Sequence, residues 1–133
     1  MFLHAPLVRS LGAFATLVAL ACATRDAPRG AAVTDDFGNA VAAGTGTRPS
    51  RIVSLSPATT EILFAIGAGS RVVGRTHWDL WPDSARLVND VGDGIRPNVE
   101  AVLARHPDLV VLYASRDDRA AADQLRAAGV TVL

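Results

Sequence analysis

Arg51-Ile-Val-Ser-Leu-Ser-Pro-Ala-Thr-Thr-Glu-Ile-Leu-Phe-Ala-Ile-Gly-Ala-Gly69 decides the fold of this chain. Ile52, Val53 and Leu55 form a short β-branched run of the kind that makes a buried strand. Ser56 follows where a helix N-cap belongs, and Pro57 falls at the first helical position, where a missing N–H costs nothing. Ile62 and Ile66 lie one turn apart with Leu63 and Ala65 beside them, which predicts an apolar stripe facing a sheet. Gly67 and Gly69 supply a left-handed stop, and Arg71-Val-Val-Gly74 opens the next strand. Strand, helix and strand joined by such short connections are expected to be parallel with a right-handed crossover. The helix start, Ser56 to Thr60, then stands at the carboxyl end of the first strand, the edge at which open α/β sheets bind ligands.

Downstream the same alternation continues. Leu87-Val-Asn-Asp-Val91 reads as a weak strand and Gly92 to Pro97 as a loop. Asn98 caps a helix over Val99–His106 with Val99, Val102 and Leu103 inward, ended by Pro107. Leu109-Val-Val-Leu-Tyr113 is apolar throughout, as a strand buried on both faces would be. Ser115 to Gly129 reads as a third helix with Ala121, Leu125 and Ala128 inward, and Val130 to Leu133 as a further strand. The fold class is therefore α/β, a three-layer lobe on a parallel sheet. A last strand with nothing after it suggests a fragment or the first half of a longer protein.

Upstream, residues 1–22 read as a secretory leader. Arg9 provides the positive start, and Leu11 to Leu20 an apolar core too short to span a bilayer. Ala19-Leu-Ala-Cys22 ends it with small residues before the lone cysteine. That arrangement resembles a bacterial lipobox, in which Cys22 is lipidated, the favoured reading; Ala19-x-Ala21 also fits an ordinary cleavage site, and the stretch an uncleaved anchor. Residues 23–50, rich in Ala, Gly, Thr and Pro, read as a flexible tether with room for a hairpin over Val33–Val41, turned at Gly38-Asn39. Residues 51–133 are the lobe.

The 13 basic and 13 acidic residues cancel. No basic stripe marks a nucleic-acid surface. Asp36-Phe37-Gly38 matches a kinase metal-binding triplet in letters only, since no catalytic loop accompanies it. Gly67-Ala-Gly69 ends a helix, whereas a phosphate-binding glycine loop opens one. Ser54 and Ser56 lack the Gly-x-Ser-x-Gly frame of a nucleophile elbow. No paired carboxylates or metal cluster appear, so neither a cofactor nor a metal is expected. The conspicuous stretch is Thr76-His-Trp-Asp-Leu-Trp-Pro-Asp83, which holds both tryptophans. Trp78 and Trp81 either cap the core edge or form an aromatic wall for a flat ligand, and a polar, Pro-terminated loop favours the wall for one of them. His77 has no second ligand at metal spacing and reads as a loop histidine.

In this order, Val33-Thr-Asp-Asp-Phe-Gly38, Arg51 to Glu61, Gly67 to Gly74, the Trp/Pro loop, and Asn98-Val-Glu100 with Pro107-Asp-Leu-Val-Val111 resemble the cobalamin and ferric-siderophore family of periplasmic substrate-binding proteins, receptors for ATP-driven importers. The resemblance covers residues 33–133. It implies a two-lobed fold holding its ligand between lobes, of which this chain is the amino-terminal lobe with the second absent. It implies cobalamin, a ferric siderophore or a haem-type chelate as ligand, an inner-membrane permease as partner, and no catalysis. Trp78 would touch the ligand, with Ser56, Pro57 and Trp81 beside it, and Glu100 would dock the permease. Gly92 to Arg96 carries no aromatic where cobalamin binders of the family tend to have a tryptophan, which leaves siderophore and haem open. Two other classes stand beside this reading: a flavodoxin-like enzyme domain and a sensory lipoprotein without a transport role.

Overall fold

The computed structural model of the chain describes residues 32–42 and 48–133. Cys22 and the whole leader lie outside the described residues. The first elements are a hairpin, β1 (Ala32–Thr34) paired antiparallel with β2 (Ala40–Ala42). Asp35 shapes its turn: its carboxylate accepts from the Phe37 and Asn39 amides at 3.0 and 2.7 Å, and Gly38 adopts a φ of 84°.

The main body runs β3 (Ile52–Ser54), α1 (Pro57–Ala65), β4 (Val72–Gly74), α2 (Val99–Leu103), β5 (Leu109–Val111), α3 (Arg119–Ala127) and β6 (Thr131–Val132). Its four strands are all parallel, in the order β4-β3-β5-β6. Side chains alternate across this sheet as the pleat requires. Ile52 and Leu109 point to one face and meet Leu63, Ala68 and Val72. Val53, Leu55, Val110 and Leu112 point to the other and meet Val102 of α2 with Ala122 and Leu125 of α3. One helix thus covers one face and two cover the other. Complete burial of a side chain such as Leu125 is worth about 1.5–3 kcal/mol.

Helix α1 starts and stops as its residues dictate. The Ser56 hydroxyl accepts from the Thr59 amide at 3.2 Å. At the other end Gly67, at φ 78°, lets its own amide reach Phe64 and that of Ala68 reach Leu63, the paired closing bonds of a Schellman turn. Helix α3 closes the same way on Gly129. The hairpin packs on α3: the Arg126 guanidinium donates to Asp35, and the Phe37 ring lies beneath Arg119 at 4.9 Å.

Several expectations change. Ile62 and Ile66 are 60% and 70% exposed, and α1 instead buries Thr60 and Leu63. The i, i+4 spacing marks one apolar side of the helix, but the sheet takes the neighbouring one because Thr60 has a buried partner there. Leu87–Val91 is no strand: Asp83–Leu87 forms a 3-10 turn, and only Arg75 and Asp90 bridge in parallel. Helix α2 stops at Leu103, and His106 turns the chain at φ 49°. Helix α3 begins at Arg119 because Ser115 and Asp118 bond each other across the preceding turn, and Ala128 is exposed. Tyr113, beyond the end of β5, is 76% exposed rather than buried.

Candidate functional site

The chain leaves β3 toward α1 on one face, while β5 feeds α3 on the other. A crevice is the geometric result at the carboxyl ends of two adjacent strands whose helices part. A cleft of about 330 Å³ occupies that place. Leu55, Ser56 and Pro57 line it after β3, Trp78 after β4, and Tyr113, Ser115 and Asp118 after β5. Asp93, Gly94 and Ile95 come from the loop ahead of α2. The rim is aromatic and apolar, with Trp78 57% exposed and Tyr113 and Ile95 also open.

The Trp78 loop is held from beneath. Asp79 is fully buried and accepts from the Thr60 hydroxyl at 2.5 Å, from the Thr76 hydroxyl at 2.5 Å and from the Thr76 amide at 3.1 Å. A buried carboxylate is tolerable only with such partners. Arg75 adds a clamp from the side, donating to the carbonyls of Thr76, Ala85 and Arg86. The indole stands out of the loop against His77, ring centroids 4.4 Å apart. His77 is exposed, and among the described residues no three metal-ligating side chains gather.

The Gly92–Arg96 loop forms the opposite lip. Its own carboxylate organises it: Asp93 Oδ1 accepts from the Ile95 amide at 2.9 Å and the Arg96 amide at 3.0 Å. The Arg96 amide does most to hold the Asp93 carboxyl below the usual carboxylate range, against partial burial and with help from Ile95 and the nearby His77. Gly94 sits at φ 81°, and a Cβ there would come within 2.4 Å of the Leu55 carbonyl oxygen. Only glycine lets this loop lie so close to the end of β3.

The structure brings Ser56, Pro57 and Trp78 to one cleft. The Ser56 oxygen accepts from the Thr59 amide at 3.2 Å and shares a further hydrogen bond with the Thr59 hydroxyl at 2.9 Å. Trp81 lies apart, in a shallow depression with Glu61, Phe64, Ala65, Pro82 and Ser84. Glu100 is exposed in the first turn of α2, where Asn98 accepts from the Ala101 amide at 3.0 Å. Tyr113, Asp93, Asp118 and Asp79 escaped the sequence reading. Tyr113 had a signal: it ends the apolar run that enters the carboxyl edge.

The sequence profile of the periplasmic binding protein family matches residues 52–133. Over 88 residues the chain is 47% identical to an uncharacterized ABC transporter substrate-binding lipoprotein of Bacillus subtilis, YvrC, a match covering 64% of this chain and 27% of that protein. The periplasmic vitamin B12 binding protein BtuF of Vibrio cholerae superposes with a TM-score of 0.58 at 29% identity, covering 64% of this chain and 33% of the other. The periplasmic heme-binding protein RhuT of Roseiflexus sp. RS-1 superposes with a TM-score of 0.56 at 34% identity, with the same coverages. The chain thus spans about a third or less of the length of these relatives.

Proposed function

The chain belongs to the periplasmic binding protein family, and on that premise we propose that it is a lobe of a substrate-binding receptor for an ABC-type importer. Its ligand is a cobalamin or a ferric chelate of siderophore or haem type. The observation that carries this reading is the pairing of two exposed aromatics, Trp78 and Tyr113, across a cleft at the point where the sheet's winding reverses. Flat macrocycles and bulky chelates bury large apolar faces, and aromatic rims suit them.

In this reading the residues 1–22 direct export, Cys22 carries a lipid anchor, and the residues from 51 onward form the ligand-binding lobe. Ser56 and Pro57 shape the floor, and Trp78 and Tyr113 grip the ligand's face. Glu100 is exposed on the α2 turn and meets the permease through arginines. The lobe performs no chemistry on its ligand. The family consists of binding proteins, which supports that reading.

The test is titration of the chain with cyanocobalamin and with haemin, followed by tryptophan fluorescence, beside a Trp78→Ala variant. Saturable quenching that weakens in the variant supports the reading. Absence of saturable binding to these probes and to a ferric hydroxamate siderophore, in a protein extended through the second lobe, refutes it.

A further inference from the structure

Both lips of the cleft hang from one side chain. Arg75 follows β4 directly, and its side chain is largely buried, 12% exposed. Nη1 donates to the Thr76 carbonyl at 2.7 Å, at the root of the loop that carries Trp78. Nε and Nη2 donate to the Ala85 and Arg86 carbonyls, each at 3.2 Å, in the turn that follows that loop. Arg86 in turn reaches back to the Leu80 carbonyl at 3.0 Å.

The same guanidinium serves the other lip. Its Nη1 lies 3.9 Å from Asp90 Oδ2, and Asp90 Oδ1 accepts from the Gly92 amide at 2.8 Å, where the Gly92–Arg96 loop begins. The Arg75 main chain runs alongside: its amide donates to the Asn89 carbonyl and its carbonyl accepts from the Val91 amide, both at 2.9 Å. A planar fork of five donors suits such a junction, whereas a lysine carries its charge at one point and cannot span three segments. Arg75 itself is not among the residues lining the cleft, so any part it has in binding is exerted through the loops it holds.

We propose that Arg75 is a positioning residue: it holds the Trp78 and Ile95 lips at one separation, so that the cleft is set before a ligand arrives. Loops ordered in advance spare binding the cost of ordering them. This deepens the receptor reading and rests on it for the effect on affinity.

Arg75→Lys tests this in the ligand-free chain, in a Trp81→Phe background that leaves Trp78 as the sole tryptophan. Time-resolved fluorescence anisotropy follows the indole. Hydrogen exchange follows the Ile95 and Arg96 amides of the lip beside the Leu55 and Leu112 amides of the sheet. The expected result is more nanosecond motion of the indole and about tenfold less protection at the lip amides, with the sheet amides unchanged. Unchanged lips, or a loss shared equally by the sheet amides, overturns the inference. Asp90→Ala cuts only the branch to the Gly92 lip and stands in if the lysine variant folds poorly; native protection at Ile95 and Arg96 in that variant overturns the inference as well. In a protein extended through the second lobe, Arg75→Lys is expected to weaken by about tenfold the binding of whichever probe the wild type takes, cyanocobalamin, haemin or a ferric hydroxamate siderophore. Looser lips with native affinity overturn the positioning role and leave the receptor reading standing. A wild type that takes none of the probes overturns the receptor reading, and the ligand-free measurements still decide whether Arg75 holds the lips.

Discussion

The Thr60 hydroxyl donates to Asp79 Oδ2 at 2.5 Å, and both residues are fully buried. This bond ties the middle of α1 to the loop that carries Trp78, 19 residues further along the chain. It explains why a polar residue occupies the helix face turned to the sheet. The helix supports the aromatic's loop through this carboxylate.

Removing the acceptor exposes that dependence. Asp79→Ala leaves the Thr60 hydroxyl, the Thr76 hydroxyl and the Thr76 amide without their shared partner. A loss of about 3 kcal/mol in unfolding free energy is expected, the upper end for buried polar groups left unpaired. Urea unfolding followed by circular dichroism measures it. A loss no larger than that of a surface substitution would show that the loop has another support.

The proposed reading gives Trp78 a part in binding and little in stability. With more than half of its surface open, Trp78→Ala is expected to leave the melting temperature nearly unchanged and weaken ligand binding by about 1–3 kcal/mol. Trp81→Ala, in the separate depression, is expected to leave affinity untouched. Equal losses in the two variants would contradict the assignment of the cleft.

Gly94→Ala is expected to destabilise the lobe by about 1–3 kcal/mol, because the new methyl must occupy a left-handed backbone and meet the Leu55 carbonyl. Ligand affinity falls with it as the lip is displaced. Unfolding and titration of the variant together check this. A stable variant with native affinity would show that the lip yields freely.

The lip also responds to acid. The Asp93 carboxyl is held below its ordinary range in the folded chain, so its bonds stabilise the loop above the unfolded-state value, near pH 4, and are lost as pH falls through the lower folded value. Hydrogen exchange at the Ile95 and Arg96 amides, measured between about pH 5 and pH 2.5 and corrected for intrinsic rates, is expected to lose protection on the acid side only. Constant protection through that range would remove Asp93 as the organiser.

At Glu100 the expected changes separate folding from docking. An exposed carboxylate in a helix's first turn contributes well under about 1 kcal/mol, so Glu100→Arg keeps melting temperature and ligand affinity. Docking of ligand-loaded receptor to a permease in nanodiscs is expected to slow and to lose its salt dependence, as removal of an interface charge pair does. Docking at the wild-type rate would leave Glu100 as a residue of the helix start.

Much of the frame was legible because its signals are local. Ser56, Gly67 and Asn98 each act through bonds to neighbouring backbone, Pro57 through its fixed φ and missing donor, and each sits where its chemistry requires. Which side of α1 meets the sheet was not legible. Thr60 becomes a core residue only through Asp79, and nothing near Thr60 announces that partner. Leu87 to Val91 resembled a strand in composition, yet Arg75 draws the carbonyls of Ala85 and Arg86 to itself, and a turn results. The cleft was half legible. Trp78 advertises itself, whereas Asp93 and Asp118 are ordinary loop residues until folding sets them in one wall.

Every residue of the cleft lies in a loop except Pro57, the first residue of α1, and among them only Leu55 also belongs to an apolar core. On the receptor reading, recognition and folding are therefore written in nearly separate letters. The loops at one sheet edge can be exchanged, lengthened or drift apart between descendants while the two buried layers stay as they are. A designer wishing to redirect this lobe toward another cargo has an edge to rewrite and a scaffold to leave alone.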